Sequence, residues 1–349
     1  MKYVEGIAVA MREAFEEQEN TILLGQGVTD FKAVFDTVND LHLDFPGRVF
    51  EMPISEDSVM GMCIGAALNG MYPINTHIRA DFSLLIFNQL INLAAKYKYM
   101  FGGLFEVPML IRLVIGRSWG QGAQHSQSLQ SMFAHVPGLE VIMPSTPQDV
   151  ISTYRYARKF HKGPVVSLEH RLMYDINFDE QNNSVECLRE PLTPKVVQQG
   201  EDVTIVATSI MVLEAKRASK ILAEEGISVE IIDLVSPTNK NMHSVFESLR
   251  KTKRLIIADT SWLPFGIAAE ISRLILQDEF NLLHAPVISL GMANAPCPTA
   301  KSLEDIYYPT IQDIRSAVYK VVNKEEPPAM NLPLQLSMAD FYKTFKGPF

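Results

Sequence analysis

Two segments of the chain hold residues of the kind that do acid–base chemistry. Pro53-Ile54-Ser55-Glu56 ends on a carboxylate, and Ala123-Gln124-His125-Ser126-Gln127-Ser128 carries an imidazole. A carboxylate and an imidazole are the commonest acid–base pair. Glu56 follows an apolar run, Arg48–Glu51, and opens the helical run Ser58–Leu68. In an open α/β sheet this is the carboxyl end of a strand, where ligands bind. The same place also suits an acid that only complements the helix dipole, worth under about 1 kcal/mol. His125 lies behind a glycine-bearing loop, Gly116-Arg117-Ser118-Trp119-Gly120-Gln121-Gly122. The run Ser126–His135 that follows reads as a helix with Ser126 as its cap. His77 and Arg79, after the strand-like run Tyr72–Thr76, are candidate contacts to a polar substrate. His135 and His161 have no comparable setting.

The elements that position these residues alternate. Thr21–Leu24, Arg48–Glu51, Tyr72–Thr76, Pro108–Val114, Glu140–Met143 and Pro164–Leu168 read as strands. Ser58–Leu68, Ser83–Tyr97, Ser126–His135 and Gln148–Phe160 read as helices between them. This is the pattern of a parallel, doubly wound α/β domain whose strands are buried on both faces. The pattern lapses in a polar stretch, Asp175–Pro194, and a second α/β run follows. Its strands are Val203–Ala207, Val229–Leu234, Leu255–Ala258 and Val287–Leu290. Its helices are Met211–Glu224, Lys240–Leu249, Gly266–Leu276 and Ile311–Val322. The expected organisation is a first domain over 1–175, a linker over 176–195, a second domain over 196–323 and a tail over 324–349. Leu332, Leu334, Leu336, Phe341, Tyr342 and Phe345 give that tail enough apolar surface to dock on a partner or a symmetry mate.

Composition narrows the function classes. The 349 residues are 47% hydrophobic, enough for two cores, and the formal net charge of −9 argues against a nucleic-acid partner. Three scattered cysteines, Cys63, Cys187 and Cys297, have neither metal-ligand spacing nor the even count of a disulfide framework, which fits a reducing, cytoplasmic setting. No apolar run has the roughly 18 residues of a membrane span, and no leader peptide is expected. There is no Gly-x-x-x-x-Gly-Lys-Ser/Thr loop, no His-Glu-x-x-His and no Gly-x-Gly-x-x-Gly joining strand to helix. An acid and a base without a cofactor-anchoring motif look like half of an enzyme.

Around these residues the sequence resembles the beta subunit of the decarboxylating component of 2-oxoacid dehydrogenase complexes, of the pyruvate and branched-chain type. The stretches that carry the likeness include Leu23-Leu24-Gly25, Pro53 through Glu56, Ile64-Gly65-Ala66-Ala67, Asn88-Gln89-Leu90-Ile91-Asn92 and Ala94 through Met100. Further on come Ala123 through Ser128, Ala134 through Leu139, Met143-Pro144-Ser145, Ala258 through Trp262, Phe265-Gly266 and Ala269-Glu270-Ile271. The likeness covers about residues 3–323. It implies two transketolase-like domains and thiamine diphosphate as cofactor. In that family a glutamate at the place of Glu56 bonds a nitrogen of the aminopyrimidine ring. This favours the imino tautomer, whose exocyclic nitrogen can deprotonate the thiazolium carbon. Ile78 and Phe82 fall where the family contacts the ring. His125 matches a histidine that serves substrate or acyl transfer to a lipoyl group. The magnesium and diphosphate motif, Gly-Asp-Gly…Asn, is missing here and belongs to the family's alpha subunit. The implied assembly is two alpha and two beta subunits, inactive without alpha, with a lipoyl acyltransferase as a further partner and a small 2-oxo acid as substrate.

The sequence departs from the family at four places. Gln26-Gly27 lacks the usual acid. Arg117, Ser118 and Trp119 replace small residues before Gln124 and His125, so Trp119 and Gln124 join the candidate substrate contacts. The family's potassium ion is in doubt near Phe160-His161-Lys162, because an ammonium can replace its charge. Val235-Ser236-Pro237 has lost an arginine. These differences leave room for a carboligase or split transketolase-like enzyme that uses an aldehyde acceptor. A non-catalytic scaffold would have no use for Glu56 and His125 together.

Overall fold

The computed structural model describes residues 1–116, 120–178, 192–323 and 326–327. These fall into two compact units. The first holds 1–116, 132–178, Leu192 and 236–238, and the second holds 120–131, 193–235 and 239 onward. Trp119, most of the expected linker and nearly all of the expected tail lie outside the described residues.

Six parallel strands form the sheet of the first unit: β1 (Thr21–Gly25), β2 (Val49–Glu51), β3 (Tyr72–His77), β4 (Met109–Ile115), β5 (Glu140–Ile142) and β6 (Pro164–His170). Their order is β2-β1-β3-β4-β6-β5. Every residue of β1, β3, β4 and β6 is buried, which explains why these strands read as continuous rather than alternating apolar runs. The chain passes from β1 to β2 on one side, then crosses to β3 on the other. A topological switch point therefore lies between β1 and β3, and it opens a crevice at their carboxyl ends.

Helix α1 (Tyr3–Glu17) buries Tyr3, Ile7, Met11, Ala14 and Phe15 at helical spacing. Helix α2 (Glu56–Leu68) follows β2. Helix α3 (Pro147–Lys159) packs on α1 and is capped by the Thr146 hydroxyl, which accepts from the Asp149 amide at 3.1 Å. Arg155 of α3 grips the Glu13 carboxylate of α1 with two bonds of 2.8 and 2.6 Å.

The second unit has strands β7 (Lys195–Gln198), β8 (Val203–Ala207), β9 (Val229–Asp233), β10 (Leu255–Trp262) and β11 (Ile288–Met292), in the order β11-β10-β8-β9-β7. Here β8 is flanked by β9 and β10, so a second switch point lies between β8 and β10. Helices α4 (Ile210–Glu224), α5 (His243–Thr252), α6 (Ile267–Glu279) and α7 (Ile311–Val321) complete it. A capping box between Thr310 and Asp313 starts α7.

Three expectations need correction. The run Ser83–Tyr97 is not one α-helix: a 3-10 segment Ala80–Ile86, a π segment Asn88–Ala94 and an α segment Ala95–Met100 share it. The Ser83 hydroxyl donates to the Ala80 carbonyl at 2.5 Å, a local bond that competes with regular helix. The run Ser126–His135 is helical only over Gln130–Ala134, so Ser126 does not cap it. Strand β7 was not foreseen and pairs antiparallel with β9, because four residues behind Pro194 are too few to show a period.

One ionic centre sits inside the first unit. Arg112 of β4 and Glu169 of β6 are both fully buried and joined by two bonds of 2.6 and 2.8 Å. The hydroxyls of Tyr154 and Tyr174 also donate to Glu169. Burial alone lowers the pKa of Arg112, but the charge and bonds of Glu169 outweigh it and hold the guanidinium charged. Burial first, then Glu169, pushes both tyrosines well above their ordinary values. No helix of the described residues is long and apolar enough to cross a membrane. Glu169→Leu, which strands the buried cation, is expected to cost about 3–5 kcal/mol in urea denaturation. The double variant with Arg112→Met should recover most of that loss, and an additive double variant would refute the pairing.

Candidate functional site

The crevice at the first switch point is built from three loops. The loop after β1 turns at Gly27, where φ is +67° and a Cβ would stand 3.2 Å from the Asp30 carboxylate and 3.6 Å from Ile78. A glycine takes that turn at little cost. The Glu51 carboxylate, at the end of β2, accepts from the Gly27 amide at 2.7 Å and from the Thr29 amide and hydroxyl at 3.2 Å. The loop after β2 then delivers Glu56, half-buried, as the first residue of α2. The loop after β3 supplies Ile78, half-buried, and Phe82, which is 40% exposed. Strand direction thus brings Glu56, Ile78 and Phe82 to the same edge of one sheet. A carboxylate on the same sheet edge as part-exposed apolar groups suits a flat heteroaromatic ring with a nitrogen that can share a proton.

His77 and Arg79 are both buried at the carboxyl end of β3. His77 is 7% exposed, and its Nε2 meets the Asn75 side-chain oxygen at 2.7 Å, while Asn75 Nδ2 donates to the Leu24 carbonyl at 3.1 Å. Burial depresses the His77 pKa to about 4, which keeps the ring neutral near pH 7. Arg79 is buried as well. Burial, then the charge of Arg171, lowers its pKa to about 10. The two guanidiniums face the Phe35 ring at 5.9 and 4.7 Å. Phe35 reaches them from a left-handed turn: Ala33, Val34, Phe35 and Asp36 have φ of 43°, 51°, 61° and 66°. Such residues cost roughly 1–2 kcal/mol each.

His125 belongs to the second unit. It is half-buried, follows the exposed Gln124, and its amide donates to the Gly122 carbonyl at 3.4 Å. Gly122, with φ of +70°, lies so close to Thr299 that a Cβ would be 2.7 Å from its hydroxyl. On the other side of His125, Ser128 and Gln130 are buried against Asp259 and Thr260. Burial raises the Asp259 pKa, opposed by hydrogen bonds from Thr208 and Gln130.

Glu56, Ile78, Phe82, His77 and Arg79 therefore lie in one unit, and Gln124 and His125 in the other. Sequence reading missed Glu51, Phe35, Arg171 and Gln130. Glu51 had a usable signal, an acid closing a strand at a crevice. Phe35 had none, because nothing in Lys32-Ala33-Val34-Phe35 advertises a left-handed turn. Lys162 lies 3.7 Å from Glu106 and so has a carboxylate partner of its own.

Two open-sheet units with a crevice at the first switch point define a two-domain α/β protein. Residues 1–176 match the family model described as the transketolase pyrimidine binding domain, and residues 193–314 match the transketolase C-terminal domain. The chain belongs to the transketolase-like family, among the beta subunits of its two-subunit members. It is 35% identical over 323 residues to the mitochondrial pyruvate dehydrogenase E1 component subunit beta of Bos taurus, covering 91% of this chain and 90% of that protein. It is 33% identical over 331 residues to the acetoin:2,6-dichlorophenolindophenol oxidoreductase subunit beta of Cupriavidus necator, covering 90% and 97%. Among solved structures, a split gene transketolase, described as an inactive beta4 tetramer, superposes with a TM-score of 0.76 at 22% identity over 93% of this chain and 98% of that one. At that identity the likeness speaks for the fold alone.

The buried histidine gives a pH test. Its folded pKa is depressed from 6.5 to about 4, so the unfolded chain takes up the proton first as pH falls. The stability it leaves intact at neutral pH is lost between about pH 6.5 and 4, with about 2 kcal/mol gone at pH 5. His77→Gln, which keeps a donor toward Asn75, should remove that share of the pH dependence in denaturation at pH 7.5 and 5. An unchanged dependence would show that His77 is not its source.

Proposed function

We propose that this chain is the beta subunit of a thiamine-diphosphate-dependent enzyme that decarboxylates a small 2-oxo acid and passes the acyl unit to a lipoyl carrier, working only with an alpha subunit. The observation that carries the reading is Glu56 at the first turn of α2, on the same sheet edge as Ile78 and Phe82 at the switch point. The identity to beta subunits of pyruvate and acetoin enzymes over nine-tenths of the chain supports it.

A carboxylate and part-exposed apolar groups on one sheet edge support a fit to the aminopyrimidine ring. Thiamine diphosphate, when bound, supplies the nucleophilic carbon and the electron sink that decarboxylation needs. Glu56 would hold a proton at a ring nitrogen, and Ile78 and Phe82 would cover the ring faces and exclude water. The diphosphate and magnesium would be held by the alpha partner, since the Gly-Asp-Gly…Asn motif is missing from this chain. In the overall reaction carbon dioxide leaves and the acyl carbon bonds to one lipoyl sulfur. The lipoyl disulfide breaks and the second sulfur takes a proton. His125 is the residue proposed to supply it.

A second beta subunit and a lipoyl acyltransferase belong to the same reading, as does a cytoplasmic setting in keeping with the buried thiol of Cys63. The site residues, with Trp119 and Gln124 as acceptor-side contacts, are part of the proposal. The altered loop before His125 favours an aldehyde acceptor as the alternative, and products formed with a lipoyl domain or an aldehyde would separate the two.

In the complex reconstituted with its alpha partner, Glu56→Ala should lower decarboxylation of a 2-oxo acid by roughly 10²-fold or more, measured as carbon dioxide release with a dye as electron acceptor. Undiminished release would remove Glu56 from the assigned role.

A further inference from the structure

The loop that carries His125 is fixed on both sides of the histidine. Three residues before it, Gly122 is pressed against Thr299; three residues after it, Ser128 is buried beside Thr260. Between these anchors Ala123 and Gln124 are exposed and His125 is half-buried, so the loop presents the imidazole while its flanks are held. The later anchor converges on one side chain. Gln130 is fully buried, and its Nε2 donates to Asp259 Oδ1 at 2.9 Å and to the Thr260 hydroxyl at 3.1 Å. Its Oε1 accepts from the Ser128 hydroxyl at 2.7 Å, and Ser128 meets the Thr260 hydroxyl at 3.0 Å. Asp259 is set in turn by the Thr208 hydroxyl at 2.6 Å, at the end of β8 and the second switch point. A buried amide that satisfies donors and acceptors together fixes geometry that apolar packing would leave free to slide.

We propose that Gln130 is a positioning residue that, through Ser128, Thr260 and Asp259, holds the His125 loop in the orientation needed for the acceptor step. The proposal rests on the reading of His125 as the acceptor-side proton donor. Gln130 is fully buried, so it acts on the loop. Removing it should therefore divide the two halves of the reaction, sparing the Glu56-dependent half.

The test uses the complex with its alpha partner and three variants: Gln130→Met, which keeps volume but loses both kinds of bond, Gly122→Ala, which displaces the other anchor, and His125→Ala as reference. Carbon dioxide release with a dye acceptor reports the first half, and acylation of a lipoyl domain reports the second. Gln130→Met is expected to leave dye-linked turnover within about twofold and to lower acylation roughly tenfold to a hundredfold, in kcat more than in KM for the lipoyl domain. Gly122→Ala should give the same division, which keeps the proposal testable if the methionine variant does not fold. If His125→Ala does not lower acylation, the underlying reading fails. If it does while both anchor variants acylate normally, the positioning role is overturned. Equal loss in both halves would make Gln130 a merely structural residue and also overturn it.

Discussion

Parallel strands can be joined only by crossovers, and that constraint governs the rest of this structure. Each crossover returns the chain to the same edge of the sheet, so every parallel strand ends where its parallel neighbours end. In the first unit this collects the Gly27 turn, Glu51, Glu56, Ile78 and Phe82 from three loops spread over more than fifty residues. No single segment makes the crevice. Its composition follows from β1 lying between β2 and β3, and the second unit repeats the device with β8 between β9 and β10.

The interior of the first unit is stiffened by groups that are costly to bury unless completed. Arg112 and Glu169 cross from β4 to β6, and two tyrosine hydroxyls complete the carboxylate. Such a centre is weak as a source of net stability, yet losing one member leaves an uncompensated charge. Its Arg112 lies on β4, the strand next to β3, whose carboxyl end carries His77 and the loop to Phe82. A rigid sheet on one side of a crevice helps to hold the loops at its edge in place.

Much of this was legible in the sequence. The apolar pattern Thr21–Leu24 stops one residue short of β1 and Ile311–Val322 runs one residue beyond α7, because both are strongly patterned and clearly punctuated. Glu56 was found because a strand, a proline and a helix start frame it. The illegible parts share a cause: their conformation is decided by partners distant in sequence. Ser126 looks like a cap, but Ser128 and Gln130 bond to Asp259 and Thr260, some 130 residues away, and the helix begins only at Gln130. The left-handed turn at Ala33–Asp36 opposes local preference, and its Phe35 packs near Arg171 and Tyr174. Four residues of β7 are too short to announce a strand.

The sheet margins carry a consequence for the life of the chain in a crowded cell. Both edge strands of the first sheet, β2 and β5, have three residues, and the second sheet ends in β7 with four and β11 with five. At β5 the Val141 amide donates to the Thr238 hydroxyl instead of lying open to another backbone. Short and locally capped margins offer little template for adding a foreign strand. Among the described residues, side-chain surfaces rather than sheet edges are thus left to decide what the chain joins.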